Sequence, residues 1–263
     1  IKVSPTRDTA GAIVHRAEDA ALLDAILTGD GRAVPPPDVG SLKLGILSTP
    51  YFEGLDPEVT ALSLGFLDKL RAAGVSIVEL DGRALEELEA ASIALHEARI
   101  ELTALARDMG QDLATFAANI ASPDVREIMT SLLAPPDEAG YFQARDTIRP
   151  ALRAAYGALF ATGVDALILP TSPLPAARVG EDETVMLNGV AVPTFATYAR
   201  QTSPASVAGI PSVSIPIGTI PIGGTGAGLP LGMLVEAPAG ADRTLLAIAA
   251  VLAPFAEPVP PPR

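Results

Sequence analysis

Two serines near the carboxyl end of the chain are the first candidates for chemistry. Ser203 and Ser206 lie in a stretch of small residues that runs from Thr202 to Gly209. A serine hydroxyl becomes a nucleophile only when a base lies within hydrogen-bond reach, and this stretch contains no histidine, lysine or aspartate. A Gly-x-Ser-x-Gly elbow is also absent from the sequence. The residues favour serines that satisfy backbone groups or line a pocket, with a nucleophile as the alternative.

Three further groups could bind phosphate or metal. The glycine-rich run 223–228 looks like a phosphate cradle, but the residues after it predict a strand where a phosphate loop needs a helix. We therefore predict a flexible hairpin loop. The acidic run 181–183 favours a solvated turn over a metal site, and His15 and His96 stand alone. Because the chain has no cysteine, disulfides and thiolate sites are excluded, and we predict no metal centre.

A polar cluster near the start of the chain is the other candidate. Asp8 and Thr9 precede Gly11 at a predicted strand-to-helix junction. Such side chains can orient partner groups by hydrogen bonds. They can equally hold a local turn or cap a helix, so both roles stay open.

The amino-acid composition limits the classes to which the protein can belong. With 263 residues, 49% of them hydrophobic and 19% charged, the chain can bury a sizeable core and is not disordered overall. A formal net charge of -13 argues against nucleic acid as a partner. The sequence contains no apolar run long enough to span a membrane. We expect a soluble, cytoplasmic protein.

The first third of the chain predicts a parallel strand pair. Residues 16–28 have the pattern of a helix that ends at Gly29. Residues 42–47 and 75–80 read as strands. Between them Asp56, followed by a proline, marks the start of a helix that runs to residue 73. A strand–helix–strand unit favours parallel pairing of its strands.

The remainder predicts further helices and strands. Residues 85–160 are mostly helical, and a buried strand follows at 165–169. Residues 185–192 predict a hairpin that turns at Asn188-Gly189. The last predicted elements are strands at 212–216 and 230–236 and a helix over 243–253 that is capped by Asp242. We expect the strands at 164–171 and 212–216 to be neighbours, with their end loops facing a pocket. The predicted fold class is α/β, a mixed, mostly parallel sheet covered by helices.

Several blocks together resemble one enzyme family. The chain is similar, in order and over nearly its whole length, to the amidase signature family. A further pattern resembles its subgroup of mandelamide and indoleacetamide hydrolases. The family blocks are residues 6–11 and 18–23, residues 42–46 and 55–59, residues 164–171, the motif Thr202-x-Pro-x-Ser206-x-x-Gly209-x-Pro211, and residues 229–232. The pattern of the subgroup covers residues 180–184, 188–189 and 192–194.

The resemblance implies an enzyme that hydrolyses small primary amides, particularly arylacetamides. In that family a serine nucleophile is activated by a second serine, in a cis peptide, and by a lysine. Backbone N–H groups form the oxyanion hole, and an acyl-enzyme is hydrolysed by water. The resemblance implies no metal and no organic cofactor.

The family's catalytic motif and lysine correspond to sequence upstream of Ile1, so the resemblance assigns no catalytic residue to this chain. Lys2 and Ala12 stand where the related sequences tend to have proline. What carries over is a supporting role near the nucleophile loop for Asp8, Thr9 and Gly11. The small, apolar wall of the acyl pocket, which suits an uncharged substrate, would comprise Thr202, Ser203, Ser206, Gly209 and Ile210.

We therefore expect residues 1–263 to form a single, incomplete amidase domain with an extended tail at 258–263. The expected partners are a small-molecule amide and the N-terminal amidase portion, on a second chain or in upstream sequence, packed on an exposed apolar face; a homodimer is possible. The alternative is a non-catalytic binding domain descended from an amidase.

Overall fold

The strands of the protein form one large sheet and one hairpin. The computed structural model describes residues 1–32, 34–88, 91–221 and 228–257. These residues form seven strands, which in chain order are β1 (Lys43–Leu47), β2 (Ser76–Asp81), β3 (Ala166–Pro170), β4 (Thr184–Leu187), β5 (Val190–Pro193), β6 (Ser212–Pro221) and β7 (Gly228–Glu236).

Helices cover both faces of the large sheet. In chain order, the described residues form α1 (Ala17–Thr28), α2 (Ser48–Tyr51), α3 (Pro57–Ala72), α4 (Arg83–Glu87), α5 (Ala91–Asp108), α6 (Leu113–Ala118), α7 (Pro123–Ser131), α8 (Glu138–Gln143), α9 (Arg149–Phe160), α10 (Thr194–Ala199), α11 (Ser203–Ala208) and α12 (Asp242–Leu252). Short 3-10 turns lie at Val39–Ser41 and Ala253–Phe255, and a π turn at Ala144–Ile148 joins α8 to α9. None of the described helices is long and apolar enough to cross a membrane.

The large sheet is mixed, which confirms the predicted fold class. Its strand order is β2-β1-β3-β7-β6. β1 pairs parallel with both β2 and β3, whereas β7 pairs antiparallel with β3 and with β6. Four of the five strands therefore point the same way, and the predicted parallel unit of β1, α3 and β2 is present.

Two hydrophobic cores lie on opposite faces of this sheet because successive side chains of a strand point to opposite faces. Every residue of β3 is buried. Ile168 faces a core built with α3 and α12, whereas Leu167 and Leu169 face a core built with α9 and α11. Full burial of one such side chain contributes roughly 1.5–3 kcal/mol. β3 is thus the centre of the fold, as its unbroken apolar sequence predicts.

Local signals fix several element ends as predicted. The Asp56 carboxylate accepts hydrogen bonds from the backbone N–H groups of Glu58 (2.8 Å) and Val59 (3.4 Å) and so caps α3. Gly29, with φ of 67°, ends α1 in the left-handed conformation. In the β4–β5 hairpin Asn188 has the positive φ that a tight turn requires.

Three predictions about the second half of the chain need correction. β3 and β6 share a sheet but are not neighbours, because β7 turns back from β6 and inserts between them. β6 also continues past residue 216 to Pro221, with an irregularity between Pro216 and Gly218. Asp242 is the first residue of α12 and makes no capping bond, since Ala241 occupies the cap position.

The glycine-rich run lies largely outside the described residues, which omit 222–227. Strands flank it on both sides, with Pro221 paired to Gly228. The element that follows the run is therefore a strand, β7, and not the helix that a phosphate loop needs.

Candidate functional site

The predicted pocket wall is a single short helix and its end. α11 buries Ala205, Val207 and Ala208 against the core that contains α9. Gly209, with φ of 75°, closes the helix, and its N–H donates to the Ala205 carbonyl (2.9 Å). Ile210 also donates to that carbonyl, at 3.0 Å. Small side chains allow this close packing, so the wall is held by the apolar core behind it.

The outward side of the wall is polar. Thr202 and Ser203 are half-buried, and Ser206 is exposed. The Ser206 Oγ accepts a hydrogen bond of 3.1 Å from an Arg7 guanidinium N–H. A guanidinium cannot take up a proton at neutral pH, so it cannot act as the base that a nucleophilic serine needs. The described contacts of Ser206 therefore include no base, and its role in lining a pocket stays a prediction.

Two long side chains fasten the wall to the rest of the molecule. Gln201 is buried, and its Nε2 donates to the Tyr51 carbonyl at 2.9 Å. Arg153 of α9 donates from Nε to the Ala208 carbonyl at 2.8 Å. α11 is thereby tied to α2 at one end and to α9 at the other.

A pair of hydroxyl groups that sequence reasoning did not select lies at the end of β3. Thr171 Oγ1 and Ser214 Oγ are 2.7 Å apart, although β7 runs between their strands. Gly232 makes this contact possible, because a Cβ at that position would lie 2.4 Å from the Ser214 Oγ and 2.9 Å from the Thr171 Oγ1. The alternation of Ser212 and Ser214 was a signal that this face of β6 is polar, but the sequence could not supply the partner across β7.

The predicted supporting residues at the start of the chain form a turn. The Asp8 carboxylate accepts hydrogen bonds from the backbone N–H groups of Val3 (2.7 Å) and Ser4 (2.9 Å). These bonds hold the pKa of Asp8 below its usual value. Thr9 and Gly11 are exposed. Asp8 thus performs the local turn role, and a supporting role for all three at a nucleophile loop stays a prediction.

Glu97 is the group that anchors this turn, and sequence reasoning missed it. Its carboxylate accepts hydrogen bonds from the hydroxyls of Ser4 and Thr6, both at 2.6 Å, and from the Tyr141 hydroxyl at 3.3 Å. Only 5% of Glu97 is exposed. Burial acts to raise the pKa of Glu97, but these bonds to Ser4 and Thr6 outweigh burial and lower it. Glu97 therefore stays ionised and pins the turn to α5.

A second buried carboxyl behaves in the opposite way. Glu236 at the end of β7 is 1% exposed, and neither of its oxygens makes a hydrogen bond with good geometry. Burial raises its pKa to about 8, and the nearby Tyr156 hydroxyl acts in the opposite direction. The hydroxyl of Tyr51, also in this core, is equally without a partner. Burial therefore favours the protonated form of Glu236.

The remaining candidates form no metal site. His96 stacks on the Tyr141 ring, with 4.0 Å between the ring centroids. Glu181 accepts a hydrogen bond of 2.9 Å from the Arg178 backbone N–H, which is a turn role. Among the residues that the structure describes, there is no group of three or more histidine, cysteine or acidic side chains suited to a metal ion.

Comparison with known proteins decides the family. The family model described as Amidase matches residues 1–246. The indoleacetamide hydrolase of Agrobacterium vitis is 36% identical over 260 residues, which covers 96% of this chain and 55% of that protein. The mandelamide hydrolase of Pseudomonas putida is 34% identical over 94% of this chain and 50% of that protein.

The chain belongs to the amidase family. Solved amidases share its fold. A crystal structure described as an amidase superposes with a TM-score of 0.78 at 27% identity, over 98% of this chain and 55% of that one. The peptide amidase of Stenotrophomonas maltophilia gives a TM-score of 0.69 at 25% identity, over 100% of this chain and 56% of that one.

This amidase chain spans about half the length of the curated relatives it matches. The family assignment agrees with the resemblance that the motifs indicate, including the resemblance to the indoleacetamide and mandelamide hydrolases. The residues predicted to line the pocket, Thr202 to Ile210, are contiguous in the fold around α11.

Proposed function

We propose that this chain is the acyl-pocket half of an amide hydrolase that acts on small, uncharged arylacetamides. The observation that supports this most directly is the wall at α11. Between Thr202 and Ile210 the wall contains no charged side chain, and its small residues are packed firmly from behind. An uncharged wall of this kind, with hydroxyls on its outward side, suits an uncharged amide and disfavours a charged one. The names of the relatives, indoleacetamide and mandelamide hydrolase, agree with such a substrate.

In this proposal the chain provides scaffold and wall, and the atoms that break the C–N bond belong to the N-terminal amidase portion, on a second chain or in upstream sequence. The serine nucleophile, the second serine and the lysine of the family would be supplied by sequence equivalent to the part of the relatives that this chain does not match. Ser203 and Ser206 take no covalent part. No metal or organic cofactor enters the reaction.

The surface of α1 supports the presence of such a partner. Leu22, Ile26 and Leu27 are 62%, 65% and 68% exposed, although they are large and apolar. Contiguous apolar surface of this kind marks interaction sites in soluble proteins. We propose that the complementary portion of the enzyme covers this face, in a cytoplasmic enzyme.

The test is ammonia release from phenylacetamide and from indole-3-acetamide. We expect no turnover by the chain alone, and turnover once it is mixed with the N-terminal portion of the Agrobacterium vitis relative that precedes the matched region. Active native material should contain a companion polypeptide that carries the serines and the lysine, detectable by mass spectrometry.

Two results would contradict the proposal. Full turnover by this chain alone would overturn the division of labour between two polypeptides. An assembled pair that binds an arylacetamide without releasing ammonia would instead favour the non-catalytic binding domain.

A further inference from the structure

Three arginines converge on the outer end of α11. Arg7 donates to the Ser206 Oγ at 3.1 Å, and Arg153 donates to the Ala208 carbonyl at 2.8 Å. Arg149 lies beneath them, 5% exposed, and donates from one terminal nitrogen to the Thr6 Oγ1 at 3.0 Å. They come from the first turn of the chain and from α9, so only the fold brings them together.

These arginines keep many donors unused. A guanidinium has five N–H groups, and each of the three makes one hydrogen bond among the described residues. The Nε of Arg149 is buried and has no hydrogen-bond partner among the residues that the structure describes. An unpaired buried donor is unfavourable, because it has lost its hydrogen bonds to water. The site therefore gains stability from any acceptor that reaches it.

The local charge is also unbalanced. Among the described residues, the carboxylates that interact with these arginines are Glu97 and Asp8, so three positive side chains there face two negative ones. Arg145, nearby, already pairs with Asp146 at 2.7 Å and adds no net charge. Burial and mutual repulsion lower the pKa values of Arg7 and Arg149. One positive charge is left over, in a chain whose net charge is -13.

The position of this surplus charge suits a molecule that has an anionic group at one end and an apolar group at the other. Arg153 and Ser206 are exposed, so solvent reaches the site. The uncharged wall of α11 continues from it through Gly209 to Ile210. An apolar group on the wall and an anionic group at the arginines can therefore be held at the same time.

We propose that Arg7, Arg149 and Arg153, with the Ser206 hydroxyl, form a binding site for a carboxylate anion. The planar guanidinium matches the two oxygens of a carboxylate, and one such anion restores local charge balance. The carboxylate that we assign is an arylacetate, the acid released by amide hydrolysis. That assignment rests on the proposed function, whereas the presence of an anion site does not.

Isothermal titration calorimetry on the full chain tests this proposal without any need for turnover. Phenylacetate is titrated at neutral pH and constant ionic strength, and phenylacetamide, which has the same ring but no charge, is the matched ligand. We expect saturable binding of phenylacetate and at least about tenfold weaker binding of phenylacetamide, since only the carboxylate forms charge-assisted hydrogen bonds with the arginines.

Variants locate the site. Arg7→Gln removes one charge with little risk to folding, because its described hydrogen bond is to an exposed serine. We expect it to weaken phenylacetate binding at least about tenfold. Arg178→Gln, which removes an exposed arginine charge elsewhere, is the control and should leave affinity unchanged. Unfolding midpoints of both variants check that the fold is retained.

Several results separate this inference from the proposed function. The anion site is overturned if phenylacetate and phenylacetamide bind equally well, or if a folded Arg7→Gln variant keeps its affinity for phenylacetate. Either result holds even if the assembled enzyme releases ammonia. Equal affinity for acetate would overturn the assignment to an arylacetate. Phenylacetate binding that Arg7→Gln abolishes would support the site even if no amide is hydrolysed.

Discussion

Replacing Glu236 by glutamine should remove most of the pH dependence of stability between roughly pH 5 and pH 8. The carboxyl is buried in the core beside Tyr51 and Tyr156, where its pKa is raised to about 8. In the unfolded chain a glutamate has its ordinary pKa, 4.5. Glutamine has nearly the same shape and cannot ionise, so it reports on the charge alone.

The sign and size follow from proton linkage. Between the two pKa values the folded protein holds a proton that the unfolded chain has lost, so raising the pH favours unfolding. The contribution of Glu236 to stability is greatest below pH 4.5, which is its pKa in the unfolded chain, and declines until the pH passes about 8. The slope approaches about 1.4 kcal/mol per pH unit. Integrated from pH 5 to pH 8 with these two pKa values, the loss is about 3.5 kcal/mol.

Urea unfolding followed by circular dichroism measures this directly. The free energy of unfolding is obtained at several pH values for the wild type, for Glu236→Gln and for Glu183→Gln. Glu183 is exposed, so its replacement serves as the control for loss of an ordinary carboxyl. We expect wild type and Glu236→Gln to be similar near pH 5 and to diverge as the pH rises, with the variant the more stable.

Parallel pH profiles for wild type and Glu236→Gln would refute the reasoning. Such a result would mean that Glu236 is already ionised near pH 5 and is stabilised by groups other than the phenols of its core. A variant that is less stable at every pH but has a flatter profile would indicate lost packing and leave the sign of the linkage intact, whereas a steeper decline of the variant with rising pH would contradict that sign.

Two further predictions concern contacts that the fold creates. Gly232→Ala should destabilise the chain by about 1–3 kcal/mol in urea unfolding, because the new Cβ would lie 2.4 Å from the Ser214 Oγ; adding Ser214→Ala should recover part of the loss. Glu97→Gln should free the turn at the start of the chain, since the Thr6 N–H donates to the Glu97 carboxylate at 3.2 Å. Hydrogen exchange of the Thr6 amide should then accelerate at least about tenfold.

Each of these has a matched control. At Gly157 a Cβ would meet no atom within 4 Å, and Gly157→Ala within α9 should stabilise by roughly 0.5–1 kcal/mol. Glu101 lies one turn beyond Glu97 on the same helix, and Glu101→Gln should leave the Thr6 amide unaffected. A Gly232→Ala variant with the stability of the wild type would contradict the close contact at Ser214. Equal exchange rates of the Thr6 amide in Glu97→Gln and Glu101→Gln would contradict the role given to Glu97.

Local chemistry could be predicted from the sequence wherever neighbouring residues determine it. Asp56 with the following proline predicts the start of α3, and Asn188 with Gly189 predicts the β4–β5 turn. The apolar run of β3 likewise predicts a strand buried on both faces. The prediction that β3 and β6 are adjacent was wrong, because pairing between strands depends on β7, which follows both in the chain.

The sequence by itself determined the α/β class, many of the helices and strands, the run of small residues from Thr202 to Ile210 and the family. These depend on periodicity, on turn chemistry and on motifs whose residues lie close together in the chain. Only the tertiary structure decided that Glu97 anchors the first turn, that Glu236 is buried, and that Arg7 reaches Ser206. The physical reason is that hydrogen bonding, desolvation and charge balance depend on distances between side chains, and these distances exist only after the chain has folded.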